Sequence, residues 1–297
     1  NLDVARSASF VPGFTFDQDT GGPAAFRHAC HVAGIIAAAD NGTGTIGVAP
    51  RATIIAIKAL HGGSGTFGAV IQSILYASDP IAEGGAGADI INLSLGAAIA
   101  MGGGNTGAAA LVAALNRAMA YANANDVLVV CSAGGNAADL DHTGSVVHVP
   151  SQSGNALAVS ATAPVGFAVG WPNGATNFRD PASYTNYGRS AIWVSAPGGD
   201  SVLPGGATCT IPPVSTLCWL FDLILSPGSQ SGGYFFAGGT SMAAPHAAGV
   251  AALIRQQHPG ISAGDLKNKL KNSADDEGEP GHDPYHGHGF VNARLAR

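Results

Sequence analysis

Five short, almost uninterrupted apolar runs restrict the folds open to this chain: residues 53–60, 88–96, 127–133, 156–162 and 192–197. Each is apolar on both faces, which suits strands of a parallel sheet covered by helices on each side. Helical patterns lie between them at 33–40, 66–78 and 107–123. This alternation predicts an α/β fold: a doubly wound, mostly parallel sheet with helices on both faces. Sites in such sheets gather beyond the carboxyl ends of the strands. Two segments fall there: Ser94-Leu95-Gly96, and Ala133-Gly134-Gly135-Asn136. No repeat, linker or composition shift divides residues 1–297, so a single domain is expected.

Composition narrows the function. Hydrophobic residues make up 46% and charged ones 11%, with 43 glycines, as in a well-buried protein with many tight turns. A net charge of −6 without a Lys/Arg cluster argues against nucleic acid as a partner. No apolar run approaches a membrane span, and no basic-then-apolar signal opens the chain. The start at Asn1-Leu2-Asp3, without Met, suggests a processed or truncated form, and a monomer is expected. Cys209 and Cys218 flank a polar, proline-bearing loop and form either a disulfide or two free thiols. A bridge would imply an oxidising, extracellular setting. Cys131, in an apolar run, is expected to be buried.

The sharpest chemical signal is Gly238-Gly239-Thr240-Ser241-Met242-Ala243-Ala244-Pro245-His246, which continues into small apolar residues as far as Leu253. Glycines permit a tight turn and close approach to a substrate. Pro245 suits the first turn of a helix, and the helix is expected to end at His258-Pro259-Gly260. Ser241 then sits at a helix N-terminus, where free N–H groups favour developing negative charge. A lone serine there is more often only a cap. Here, however, Gly-Thr-Ser-Met-Ala-Ala-Pro-His is complete, and it resembles the serine motif of the subtilisin-like serine proteases, the subtilases.

The resemblance covers nearly the whole chain. His28-Ala29-Cys30-His31-Val32-Ala33-Gly34 is similar to the family's histidine motif, which implies that His28 is the general base and His31 a structural histidine. Ala29 and Cys30 depart from the usual Gly and Thr. Cys30 is read as a small side chain in the threonine's place; the rival reading, a thiol nucleophile, needs a lowered pKa. Asn136 matches the oxyanion asparagine. Ser94, Leu95 and Gly96 match the strand along which subtilases bind an extended substrate. Ala133, Gly134 and Gly135 match the pocket for the side chain before the scissile bond. Gly47-Val48-Ala49-Pro50, Ser195-Ala196-Pro197-Gly198 and 287–293 extend the match.

The resemblance also implies a calcium loop, with Asn41 giving a side-chain oxygen and Ala39, Thr43 and Thr45 carbonyls. The alternative is a glycine-rich surface turn. No cofactor is required for the implied chemistry. His282, His286 and His288 suggest a transition metal but read better as a loop. The family also needs an aspartate to orient the base. It ends a strand thirty or more residues before the histidine, and only 27 residues precede His28. Asp19-Thr20-Gly21 has the right tripeptide but lies nine residues before His28, too close for a strand and a crossover. Asp3 is rejected as well, so the aspartate is expected upstream of residue 1.

The expected activity is therefore that of a secreted serine endopeptidase acting on extended polypeptides, weakly active at most in this form. The rival is an impaired relative that only binds extended peptides. An esterase of the Gly-x-Ser-x-Gly type is disfavoured, since Ala243 replaces the second glycine.

Overall fold

Four of the five apolar runs form one parallel sheet. The computed structural model describes residues 1–19, 25–102, 106–174, 176–203, 205–228 and 232–296. The elements run β1 (Ala8–Ser9), α1 (His28–Ala37), β2 (Ile57–Lys58), α2 (Phe67–Ser78), β3 (Ile90–Leu93) and β4 (Ala97–Ala100). Next come α3 (Thr106–Ala124), β5 (Leu128–Ser132), β6 (Val146–Val149), β7 (Leu157–Thr162) and β8 (Ile192–Pro197). Then follow β9 (Thr208–Ile211), β10 (Val214–Leu217), β11 (Ile224–Pro227), β12 (Tyr234–Ala237), α4 (Thr240–Gln257) and α5 (Ala263–Asn272). The main sheet has the order β3-β5-β7-β8, and every pair in it is parallel.

β5 and β7 are buried along their whole length, because alternate side chains of one strand enter two different cores. Leu128 and Val130 meet Ala247, Val250 and Ile254 of α4 and Leu266 and Leu270 of α5. Val129 and Cys131 meet Val70 and Ile74 of α2 and Leu115 and Met119 of α3. Helices therefore cover both faces, which is why the strands carry no polar alternation. Each large side chain so buried contributes about 1.5–3 kcal/mol over an exposed one.

The run at 53–60 departs from expectation. It lies outside the main sheet and is half-buried rather than buried. Its strand, β2, pairs in parallel with β1, and the Ala8 N–H donates to Ala56 O at 3.0 Å and the Phe10 N–H to Lys58 O at 2.9 Å. Its backbone is satisfied by the N-terminal segment, so apolar content alone did not assign it to the central sheet. α1 also starts earlier than expected and ends at Ala37 rather than residue 40. Arg27 before it is extended, and the Ala38 N–H closes the last turn on Gly34 O at 2.9 Å.

Three antiparallel pairs had no forecast: β4–β6, β9–β10 and β11–β12. Cys209 and Cys218 are joined as a disulfide beside β9–β10. Cys131 is fully buried as expected, and burial pushes its thiol up to about 12. α1 packs on α4 where Val32 and Ile35 meet Met242, with Ile224 and Ala237 of the β11–β12 pair against them.

Candidate active site

Ser241 is the second residue of α4, and Gly239 forms the cap with φ +156°, a conformation open to glycine. The Met242 N–H donates to Gly239 O at 2.9 Å, closing the first turn around the serine. Pro245 lies inside the helix rather than in its first turn. That corrects the sequence reading and has a consequence for the serine. A residue four places on normally donates its N–H to the Ser241 carbonyl, and proline has none to give. The Ser94 hydroxyl donates to Ser241 O instead, at 2.9 Å. Asn92 Nδ2 in turn donates to Ser94 Oγ at 3.0 Å. The Ser241 hydroxyl points back at Ser94 O, 3.5 Å away.

The other candidate residues gather around this helix end. Thr240 Oγ1 accepts the Gly134 N–H at 3.1 Å, tying the 133–136 loop to the residue before the serine. Ser132 Oγ donates to Leu95 O at 3.4 Å, linking that loop's strand to the segment at 94–96. A Cβ on Gly96 would stand 2.9 Å from Val149 O, so the strand passes β6 with no room for a side chain. Ala133 is buried, while Gly135 and Asn136 are exposed. The Asn136 N–H is held by Asn186 Oδ1 at 2.9 Å.

His28 is the first residue of α1, one turn before Val32, which packs against Met242. His28 and Ser241 thus head two adjoining helices. Among the described residues no hydrogen bond joins them; such contacts often tighten only with substrate bound. The residue as a whole is exposed, but its ring is partly desolvated, with Phe26 edge-on at 6.2 Å. Burial of the ring, and then His31, hold its pKa below the ordinary value near 6.5, while the Asp19 carboxylate opposes them.

His31 is fully buried, with Nε2 3.2 Å from Ile224 O and 3.0 Å from Phe235 O. A nitrogen facing two carbonyls must carry the proton, so His31 pins α1 to the β11–β12 pair. Burial, then the Asp19 charge, raise the Cys30 thiol, which weighs against a thiolate nucleophile. Asp3 is bound to Arg6 at 2.7 Å, and Asp19 Oδ2 lies 3.8 Å from Arg27 Nη1. Thr20 and Gly21 lie outside the described residues.

A second serine–histidine pair, Ser195 Oγ and His286 Nδ1 at 2.9 Å, is sealed inside the protein and ties β8 to the C-terminal loop. The rings of His282 and His288 lie 4.2 Å apart, tilted by 40°, in the same loop. Among the described residues no three His, Cys, Asp or Glu side chains are grouped to hold a metal ion. In the expected calcium loop Asn41 Oδ1 already accepts the Thr43 N–H at 3.1 Å, and Thr45 Oγ1 is buried without a partner. Ala39, Asn41, Thr43 and Thr45 bring no carboxylate, so a calcium ion at this loop would be held by neutral oxygens alone.

Residues 6–289 match the model of the subtilase family. The chain belongs to the subtilase family. It is 32% identical over 297 residues to subtilisin DY of Bacillus licheniformis, covering all of this chain and 85% of that relative. It is 34% identical to subtilisin Savinase of Lederbergia lenta, covering 85% of its length. Against the M-protease of Shouchella clausii the identity is 34%, and the chain spans 60% of that protein. A lanthipeptide protease superposes with a TM-score of 0.73 at 26% identity, over 99% of this chain and 80% of that one. The nisin leader peptidase NisP of Lactococcus lactis shares the fold, with a TM-score of 0.74 at 20% identity over 99% and 81% of the two chains. By family this subtilase is a serine protease, a class that acts on polypeptides. No helix among its described residues is long and apolar enough to cross a membrane.

Proposed function

We propose that this subtilase is a secreted serine endopeptidase that cleaves extended polypeptides by acyl transfer to Ser241. The observation that carries the reading is the convergence on one helix end. Direct hydrogen bonds join Ser94 of the proposed substrate strand to Ser241, and Gly134 of the proposed pocket loop to Thr240 beside it. In the proposed reaction His28 takes the Ser241 proton as Oγ attacks the carbonyl carbon. The Asn136 amide and the Ser241 N–H receive the oxyanion, and His28 then protonates the departing amine. Water, deprotonated by His28, hydrolyses the acyl-enzyme. Asp3 and Asp19 are not assigned the orienting role, since Arg6 engages one and Arg27 faces the other. The disulfide supports an extracellular setting.

The departures from the family's histidine motif at Ala29 and Cys30 favour a second reading, a subtilase that binds extended peptides without cleaving them. A fluorophosphonate probe separates the two. The protease reading expects covalent labelling of Ser241 in the full-length protein, lost in Ser241→Ala. An unlabelled serine in folded protein would leave the binding reading.

A further inference from the structure

The loop that carries Asn136 is held by a side chain from a different part of the chain. Asn186 lies between β7 and β8 and is fully buried. Its Oδ1 accepts the Asn136 N–H at 2.9 Å and the Ala138 N–H at 3.0 Å. Its Nδ2 donates to Ala133 O at 3.0 Å, and its own N–H donates to Gly134 O at 3.0 Å. The carboxamide can face only one way, because two N–H groups need its oxygen and one carbonyl needs its nitrogen. The second Nδ2 proton faces His148 Nδ1 at 3.4 Å, so that ring nitrogen is an acceptor.

The residue between the two bound N–H groups is strained. Ala137 has φ +50°, in the left-handed region that residues with a Cβ avoid. That conformation turns the flanking N–H groups toward one point, and Asn186 Oδ1 occupies it. Such strain persists only where the surroundings over-determine it. Gly134 shows how closely the amide is enclosed: a Cβ there would stand 2.4 Å from Asn186 Nδ2.

We propose that Asn186 is a positioning residue that sets the strained turn at Ala137 and thereby aims the Asn136 amide at the oxyanion. The proposal rests on the protease reading of Asn136. Asn186 touches neither substrate nor reacting atoms and acts through Asn136.

Two measurements on the full-length protein test it, in Asn186→Ala and in the near-isosteric Asn186→Asp, which keeps the acceptor oxygen and loses the donor. Hydrogen–deuterium exchange reads the turn without requiring turnover. Faster exchange across 133–138 in either folded variant, with the main-sheet strands still protected, is expected; unchanged exchange in both overturns the proposal. Kinetics read the consequence. Each variant should lower kcat by about 10-fold or more, within the roughly 10²–10³-fold cost of an oxyanion donor, with KM moving far less. In an Asn136→Ala background the same substitutions should cost less than about 3-fold, since the residue they act through is gone. Losses that multiply in full overturn the proposal. If the wild-type protein neither turns over nor labels at Ser241, the protease reading fails on its own, and exchange still decides whether Asn186 sets the turn.

Discussion

Pro245 stands four residues after Ser241 and has no N–H to return to the serine's carbonyl, which leaves that oxygen for the Ser94 hydroxyl. A residue that reads as helix punctuation thus couples Ser241 to the segment at Ser94. Asn136 is exposed while its backbone N–H is fixed by Asn186, which suits the oxyanion role proposed for its amide. Asn136→Ala is expected to lower kcat by about 10²–10³-fold with little change in KM, a magnitude carried over from subtilisin. Steady-state kinetics on a peptide substrate check it. His28, as the proposed base, makes its own prediction. It must be neutral to accept a proton, and burial lowers the His28 pKa from its ordinary 6.5. The neutral form therefore survives to lower pH, and the acid limb of kcat/KM should have its midpoint below about 6.5. A midpoint above that value would show that another group controls the limb.

At the scale of elements, the small residues of α4 explain how one helix reaches both the sheet and α1. Ala243, Ala244, Ala247 and Ala251 are fully buried on the face of the sheet that also packs against Leu266 and Leu270 of α5. Gly249 allows the closest approach, since a Cβ there would lie 2.6 Å from Val48 Cβ. Val48 is stiff at χ1 and cannot swing aside. Gly249→Ala should therefore destabilise the protein by about 1–3 kcal/mol, as overpacking does, although alanine favours helix. Denaturant midpoints decide the sign. The elements also show what pattern reading reaches. α2 lies where its periodicity places it, with Thr66 Oγ1 capping Ala69 N at 3.1 Å. α5 was legible but unread: Ser262 caps Asp265 at 3.1 Å, and Leu266 and Leu270 are spaced one turn apart. The short antiparallel pairs left no comparable trace, since strands of four residues such as β4, β9 and β10, none of them with a fully buried residue, are too short to show a period.

Across the whole molecule, burial leaves a pH signature. His246 forms a 2.8 Å hydrogen bond through Nδ1 to Met242 O, and burial pushes its pKa down to about 4. In the unfolded chain it returns to about 6.5. Between those values the unfolded state binds a proton that the folded state refuses, so stability falls as pH drops from about 6.5 to about 4. This contributes at most about 3 kcal/mol, as the side chain is not wholly sealed from water. Denaturant midpoints at pH 7 and pH 4.5 should differ in wild type and differ less in His246→Asn; equal midpoints in wild type would contradict the assignment.

Sequence alone was enough for the parallel sheet and its helices, because two-sided burial demands uninterrupted apolar runs. It was also enough to name Ser241, His28 and Asn136 as candidates, because their motifs are contiguous. It did not reveal that 53–60 leaves the main sheet, since strand pairing depends on a partner fifty residues away. It did not reveal Ser94 as the donor to the serine's carbonyl, or Asn186 as the clamp on the Asn136 loop. Those roles belong to hydrogen bonds between residues far apart in the chain, and only the packed structure brings such donors and acceptors within 3 Å.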